Sequence, residues 1–116
     1  MAFSFELVRH GARAPIEDRN LDQFPVSEGM LTPEGMRQRY LLGRRNRERY
    51  VTEWALINAT MVPDEVLMIS TDVNRTIQSG YSEFMGLYPP NIESGAPSLK
   101  ANMTDTVDDT VFKVRN

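Results

Sequence analysis

The chain has 116 residues, 41% of them hydrophobic and 25% charged, with a formal net charge of -3 and no cysteine. That length supports one small domain and not two. The composition excludes a disulfide framework and a thiolate metal site, and the charge provides no global basic field for nucleic acid.

In chain order, Phe3-Ser4-Phe5-Glu6-Leu7-Val8 alternates apolar and polar, then turns wholly apolar. This pattern predicts a strand entering a core. Met1 to Glu6 lacks the basic n-region and the long apolar h-region of a secretory leader. No apolar run anywhere reaches the length needed to span a bilayer. The strand pattern stops at Arg9-His10-Gly11. Residues 14–31 hold Pro15, Pro25, Gly29 and many polar side chains, which predicts a long loop that is functional or ordered by its own packing.

Leu31-Thr32-Pro33-Glu34 is a helix start: Thr32 can cap, Pro33 suits the first helical position and Glu34 suits the first turn. Met36, Tyr40, Gly43, Tyr50 and Trp54 recur at helical spacing, so the helix is expected to reach about Tyr50, with a break before residues 52–58. Six arginines lie between Arg37 and Arg49, and the simplest reading of them is a solvated helix face. Glu65-Val66-Leu67-Met68-Ile69-Ser70 reads as a second buried strand. Asp72 can cap a second helix from Val73 to about Met85, ended by Gly86 and Pro89-Pro90. Residues 91–110 are rich in Ser, Asn, Asp, Gly and Thr and read as loop. Val111-Phe112-Lys113-Val114 alternates and predicts a third strand at the end of the chain. Strand, helix, strand, helix, strand is the order of an α/β fold with crossover connections.

Two motifs follow the two expected strands. The first, Arg9-His10-Gly11-Ala12-Arg13-Ala14-Pro15, offers one imidazole flanked by two guanidinium groups. The second, Ser70-Thr71-Asp72-Val73-Asn74-Arg75, puts Arg75 near a helix N-terminus, itself favourable to anions. Open α/β folds place ligands at the carboxyl ends of strands. If the two strands are neighbours, Arg9, Arg13 and Arg75 converge on one tetrahedral dianion beside His10. Three cations around one point repel one another unless an anion sits among them. Each charge-assisted bond to such an anion contributes about 1.5–3 kcal/mol. A neutral imidazole in that field is a candidate nucleophile, and the guanidinium groups are candidate transition-state stabilisers.

The Arg-His-Gly-x-Arg-x-Pro run resembles the signature of the histidine acid phosphatases, the second branch of the histidine phosphatase superfamily. Leu31-Thr32-Pro33-Glu34-Gly35-Met36 with Gln38 and Leu42-Gly43 is similar to that family's first-helix pattern. Ser70 to Thr76 resembles its second phosphate-binding motif, and Leu87-Tyr88-Pro89-Pro90 the turn that follows. The resemblance implies the N-terminal part of a three-layer α/β/α fold with a mixed, mostly parallel sheet, incomplete over residues 1–116. It implies hydrolysis of phosphate monoesters at acidic pH through a phosphohistidine on His10. Arg9, Arg13 and Arg75 would hold the phosphoryl oxygens, and no metal or organic cofactor would be required. The partner would be a small phosphorylated substrate or inorganic phosphate, with no nucleic acid and no membrane span. It further implies a lysosomal or secreted protein, in which the sequons at Asn58 and Asn102 could carry glycans.

His10 is the only histidine in the chain. The His-Asp pair that supplies the general acid in the resembling family is therefore missing, and neither Glu17 nor Asp18 has a placement that assigns it the role. Two readings stand: a phosphatase whose short form is weak or inactive, and a non-catalytic phosphate or phospho-ligand binder.

Overall fold

The computed structural model describes residues 3–17 and 21–89. Two helices form its body: α1, Pro33–Arg47, and α2, Asn74–Leu87. Thr32 caps α1 as its type allows, its hydroxyl accepting the Gly35 N–H at 3.1 Å, and Pro33 occupies the first turn. Arg44, Arg45 and Arg47 fall in the last turn, where cations suit the carbonyl end of the helix dipole. Beyond Arg47 the helix widens into a π-helical turn, Glu48–Glu53, closed by the Trp54 N–H on the Arg49 carbonyl at 2.9 Å. The break expected before residues 52–58 is this widening.

The start of α2 differs from the sequence expectation. Val73 is the N-cap residue and no side chain caps the helix, so Asp72 does not perform that role. The Thr76 hydroxyl instead bonds the carbonyls of Thr71 and Val73 and ties the preceding turn to the helix. Gly86 does not end α2. It lies inside it, because it is the point where the helices touch. A Cβ on Gly43 would overlap the Glu83 carbonyl, and one on Gly86 would overlap the Tyr40 carbonyl. Backbone meets backbone at this crossing, which only glycine permits.

Polar side chains fill much of the space between the helices. Arg39 and Glu83 form a buried ion pair, and Asn46 donates to Glu83 Oε1 at 3.1 Å. Asn46 also donates to Glu6 Oε2 at 2.9 Å, and the Tyr50 hydroxyl donates to Glu6 Oε1. Tyr40 and Tyr50 are buried. Trp54, by contrast, is exposed and stacks at 5.5 Å with Tyr50 and with the Arg49 guanidinium. The arginine cluster is thus only partly a solvated face. Arg37 and Arg45 are exposed, Arg39 is buried, and Arg47 donates to the carbonyls of Ala59 and Leu87.

The α/β architecture, and with it the three-layer α/β/α sheet, is not formed among the described residues: they contain no strand, and the only bridge is an isolated antiparallel one between Arg13 and Leu31. Residues 3–8 and 66–70 are extended but unpaired. The alternation of residues 3–8 has its polarity reversed from expectation, and residues 66–70 are not the buried strand expected. Ser4 and Glu6 face Tyr50 and Asn46, while Phe5 and Leu7 are 81% and 90% exposed. Leu67 and Ile69 are 85% and 83% exposed. The physical reason is that an extended backbone needs a neighbouring strand to satisfy its N–H and C=O groups, whereas a helix satisfies its own. Neither segment has such a neighbour among the described residues. The third expected strand, 111–114, lies outside them.

The loop over residues 14–31 returns to its own start. The Ala14 N–H donates to the Met30 carbonyl at 2.8 Å, and the Gly29 N–H to the Pro15 carbonyl at 3.1 Å. Ala14 and Leu31 are buried at its neck.

Candidate active site

His10 sits where the extended N-terminal segment meets the two helices. The segment after it is fastened on three sides. Toward α1, Gly11 and Gly35 pack backbone to backbone, since a Cβ on either would overlap the other's chain segment. The Ala12 N–H donates to Gln38 Oε1 at 3.0 Å. Toward the loop, the Ala12 carbonyl accepts both the Thr32 N–H and the Thr32 hydroxyl at 3.0 Å. Toward α2, the Gly11 N–H donates to the Ser79 hydroxyl at 3.1 Å.

The imidazole itself is oriented by one contact, His10 Nδ1 to the Gly11 carbonyl at 2.7 Å. A carbonyl oxygen can only accept, so Nδ1 carries the proton. In the neutral ring Nε2 then holds the lone pair. This is the tautomer that a nucleophilic imidazole attacking through Nε2 requires.

Of the three arginines, Arg75 is the one whose backbone is linked through Ser79 to the segment after His10. It lies in the first turn of α2, one helical turn before Ser79, and the Ser79 hydroxyl donates to the Arg75 carbonyl at 2.6 Å. Its guanidinium reaches toward Gly29: a Cβ built there would stand 3.8 Å from Arg75 Nη1. Arg75 Nε is buried and has no hydrogen-bond acceptor among the described residues. A buried cationic N–H without an acceptor is costly, and an oxyanion would relieve it. Arg13 is half-buried and its Nη1 donates to the Ala14 carbonyl at 3.0 Å. Arg9 is exposed at the end of the extended segment. The contacts therefore bring His10, through Gly11, to the turn of α2 that carries Arg75. They do not tie Arg9 into the same cluster. Glu17 is exposed, with its N–H on Glu28 Oε1 at 2.5 Å, and Asp18 lies outside the described residues.

Sequence reasoning passed over Ser79. A signal for it existed: it stands four residues after Arg75, hence on the same helix face. Nothing in the spacing of residues 9–15 reveals that Gly11 meets it, because the two are 68 residues apart.

The profile of the histidine phosphatase superfamily (branch 2) matches residues 20–113. The chain belongs to this family. The matched span begins after the His10 motif and includes Arg75. Among curated proteins, the chain is 38% identical over 90 residues to human lysosomal acid phosphatase, covering 73% of this chain and 21% of that protein. It is 39% identical over 87 residues to mouse prostatic acid phosphatase, covering 71% and 22%. To human testicular acid phosphatase it is 35% identical over 108 residues, covering 86% and 24%. The chain thus spans about a fifth to a quarter of the length of these histidine-phosphatase relatives. No described helix is long and apolar enough to cross a membrane, and the described residues hold no metal-ligand cluster.

Proposed function

We propose that the chain is the N-terminal portion of a single histidine acid phosphatase domain that hydrolyses phosphate monoesters at acidic pH. His10 Nε2 attacks phosphorus in line with the leaving oxygen. The P–O bond to the leaving group breaks and a phosphohistidine forms. Water then attacks that phosphorus, releasing inorganic phosphate and restoring the imidazole. Arg75, with Arg13 and Arg9, binds the non-bridging oxygens and stabilises their charge in both steps. The leaving oxygen must gain a proton, and no residue of this chain is assigned to donate it. Such assistance contributes about 10²–10⁴-fold, so the 116 residues alone have weak hydrolytic activity or none.

The observation that carries the reading is the tether from Gly11 to the turn of α2 bearing Arg75. The names of the relatives support the reaction class. Lysosomal and prostatic acid phosphatases among them support a lysosomal or secreted location. In that setting Asn58 is exposed in a sequon, while Asn102 lies outside the described residues. The test is phosphate-ester hydrolysis by the longest protein encoded around this chain, with and without His10→Ala. A loss of two or more orders of magnitude is expected; full activity in the variant would overturn the assignment.

A second reading is favoured by the single histidine: a short form that binds phosphate or a phospho-ligand without turning it over. Saturable vanadate binding by a chain with no turnover would select it.

A further inference from the structure

The structure assigns a positioning role to Ser79, and this inference rests on the phosphate-site reading above. Ser79 is 3% exposed, on the face of α2 turned toward residue 11. Its hydroxyl makes two bonds whose polarity is fixed by the partners. The Gly11 N–H can only donate, so Ser79 Oγ accepts it at 3.1 Å. The Arg75 carbonyl can only accept, so the hydroxyl proton points there at 2.6 Å. One oxygen thus joins the backbone next to the candidate nucleophile to the backbone of the candidate phosphate-binding arginine.

The other fastenings of the segment do not do this. Gln38 and Thr32 hold Ala12 to α1 and the loop, and neither touches α2. In the described contacts, the hydroxyl of Ser79 is the hydrogen-bonded bridge from residues 10–12 to α2. Without it the Gly11 N–H is a buried donor lacking an acceptor, and the segment must shift to find one. Gly11 cannot shift toward α1, where it already meets Gly35 backbone to backbone. The shift would therefore open the distance between His10 and Arg75, and a misplacement of about 1 Å is enough to lose much of an oriented site's effect.

Ser82 supplies the matched control. It is also 3% exposed, lies on the same helix and back-bonds to the Gln78 carbonyl at 2.8 Å. It makes no bond to residues 10–12. A purely structural role for a buried helical serine would be felt at both positions alike.

The experiment titrates vanadate into the 116-residue chain and follows the single imidazole by NMR, alongside hydrogen exchange at the Gly11 amide. Vanadate is expected to shift the His10 resonances in the unsubstituted chain and in Ser82→Ala with the same affinity. Ser79→Ala weakens that affinity about tenfold, the worth of one buried hydrogen bond, and deprotects the Gly11 amide. Ser79→Thr, which keeps the hydroxyl, restores both. Where Ser79→Ala does not populate the fold, Ser79→Cys gives the same ordering, since a thiol is a weak donor and acceptor of similar size. Equal vanadate affinity in the Ser79 and Ser82 variants, or unchanged Gly11 protection in Ser79→Ala, overturns the proposal. If vanadate leaves His10 unmoved in the unsubstituted chain while Gly11 protection still depends on Ser79, the phosphate site itself is wrong. Ser79 is then only a bridge between segment and helix.

Discussion

The helix pair with its fastened loop and the two extended segments were assembled under the same local rules, with opposite results. In the first region nearly every cue of the sequence is met by a neighbour. Thr32 caps α1, Gly43 and Gly86 let the helices touch, and residues 11–14 are held from α1, α2 and the loop. In the second, residues 3–8 and 66–70 have the apolar patterns of strands, yet Phe5, Leu7, Leu67 and Ile69 stand in solvent. A helix closes its hydrogen bonds within itself, so a short stretch of chain can form it and then pack it. A strand is finished only by another strand. Large apolar side chains exposed along a segment are a surface that some further element would ordinarily cover.

The contrast can be broken most forcefully at Arg39. Arg39→Ala leaves Glu83 buried without its cation, and at neutral pH this should cost about 3–5 kcal/mol of unfolding free energy. In acid the cost should fall, because Glu83 can then be neutral. Urea denaturation at both pH values decides it; a loss below about 1 kcal/mol at each would show that the helix pair does not depend on this contact.

Two glycines, Gly43 of α1 and Gly80 of α2, sharpen the comparison. Gly43→Ala drives a methyl into the backbone of α2 and should cost about 1–3 kcal/mol. Gly80→Ala meets only the flexible end of Met68, on the unpaired segment 66–70. It should be neutral or gain up to about 1 kcal/mol from helix propensity. Thermal melts of the pair should move in different directions, and equal losses would mean that residues 66–70 are packed as firmly as the helices.

A pH effect should also separate the regions. Burial holds the Glu83 carboxyl above the usual carboxylate range; the attraction of Arg39 opposes this and the charge of Glu6 adds to it. A folded-state value above the unfolded one means that folding retains a proton. The stability from this group is therefore complete below the ordinary glutamate value and is lost as pH rises through the higher folded value. Unfolding midpoints measured across mild acid to neutral pH should fall on this account, and Glu83→Gln should flatten the decline. A decline of unchanged slope in the variant would locate it elsewhere.

The smallest effect is expected from the extended segments. Phe5→Ser and Leu67→Ser should each change stability by less than about 0.5 kcal/mol, since both side chains are already in water. They should also reduce self-association in sedimentation velocity. A destabilisation of 2 kcal/mol or more would place these residues in the core after all.

Much of the candidate site was legible residue by residue. The run from Arg9 to Pro15 and the Arg75 motif were visible because each is local. The tautomer of His10 was not, because it depends on the position of the Gly11 carbonyl. The grouping of Arg9 with Arg13 and Arg75 rests on two neighbouring strand ends, and without that strand pairing the exposed Arg9 has no contact to the other two among the described residues. Asp72 was read as a cap from its place before a helix, whereas the turn is closed by Thr76, whose hydroxyl lies within reach of two carbonyls.

What the amino-acid order alone determined were the properties that one stretch of chain settles by itself. These are the existence of α1 and α2, the Thr32 cap of α1, and the loop that precedes it, together with the imidazole and guanidinium groups of the two motifs. Tertiary structure decided which distant groups meet: Gly11 with Ser79, Arg39 with Glu83, Gly43 with Gly86. It also decided that two strand-like segments have no pairing partner among the described residues. The reason is the same in each case. Torsional preference and capping act over a few residues, whereas a hydrogen bond, an ion pair or a strand pairing between distant positions exists only once the chain has brought both partners to one place.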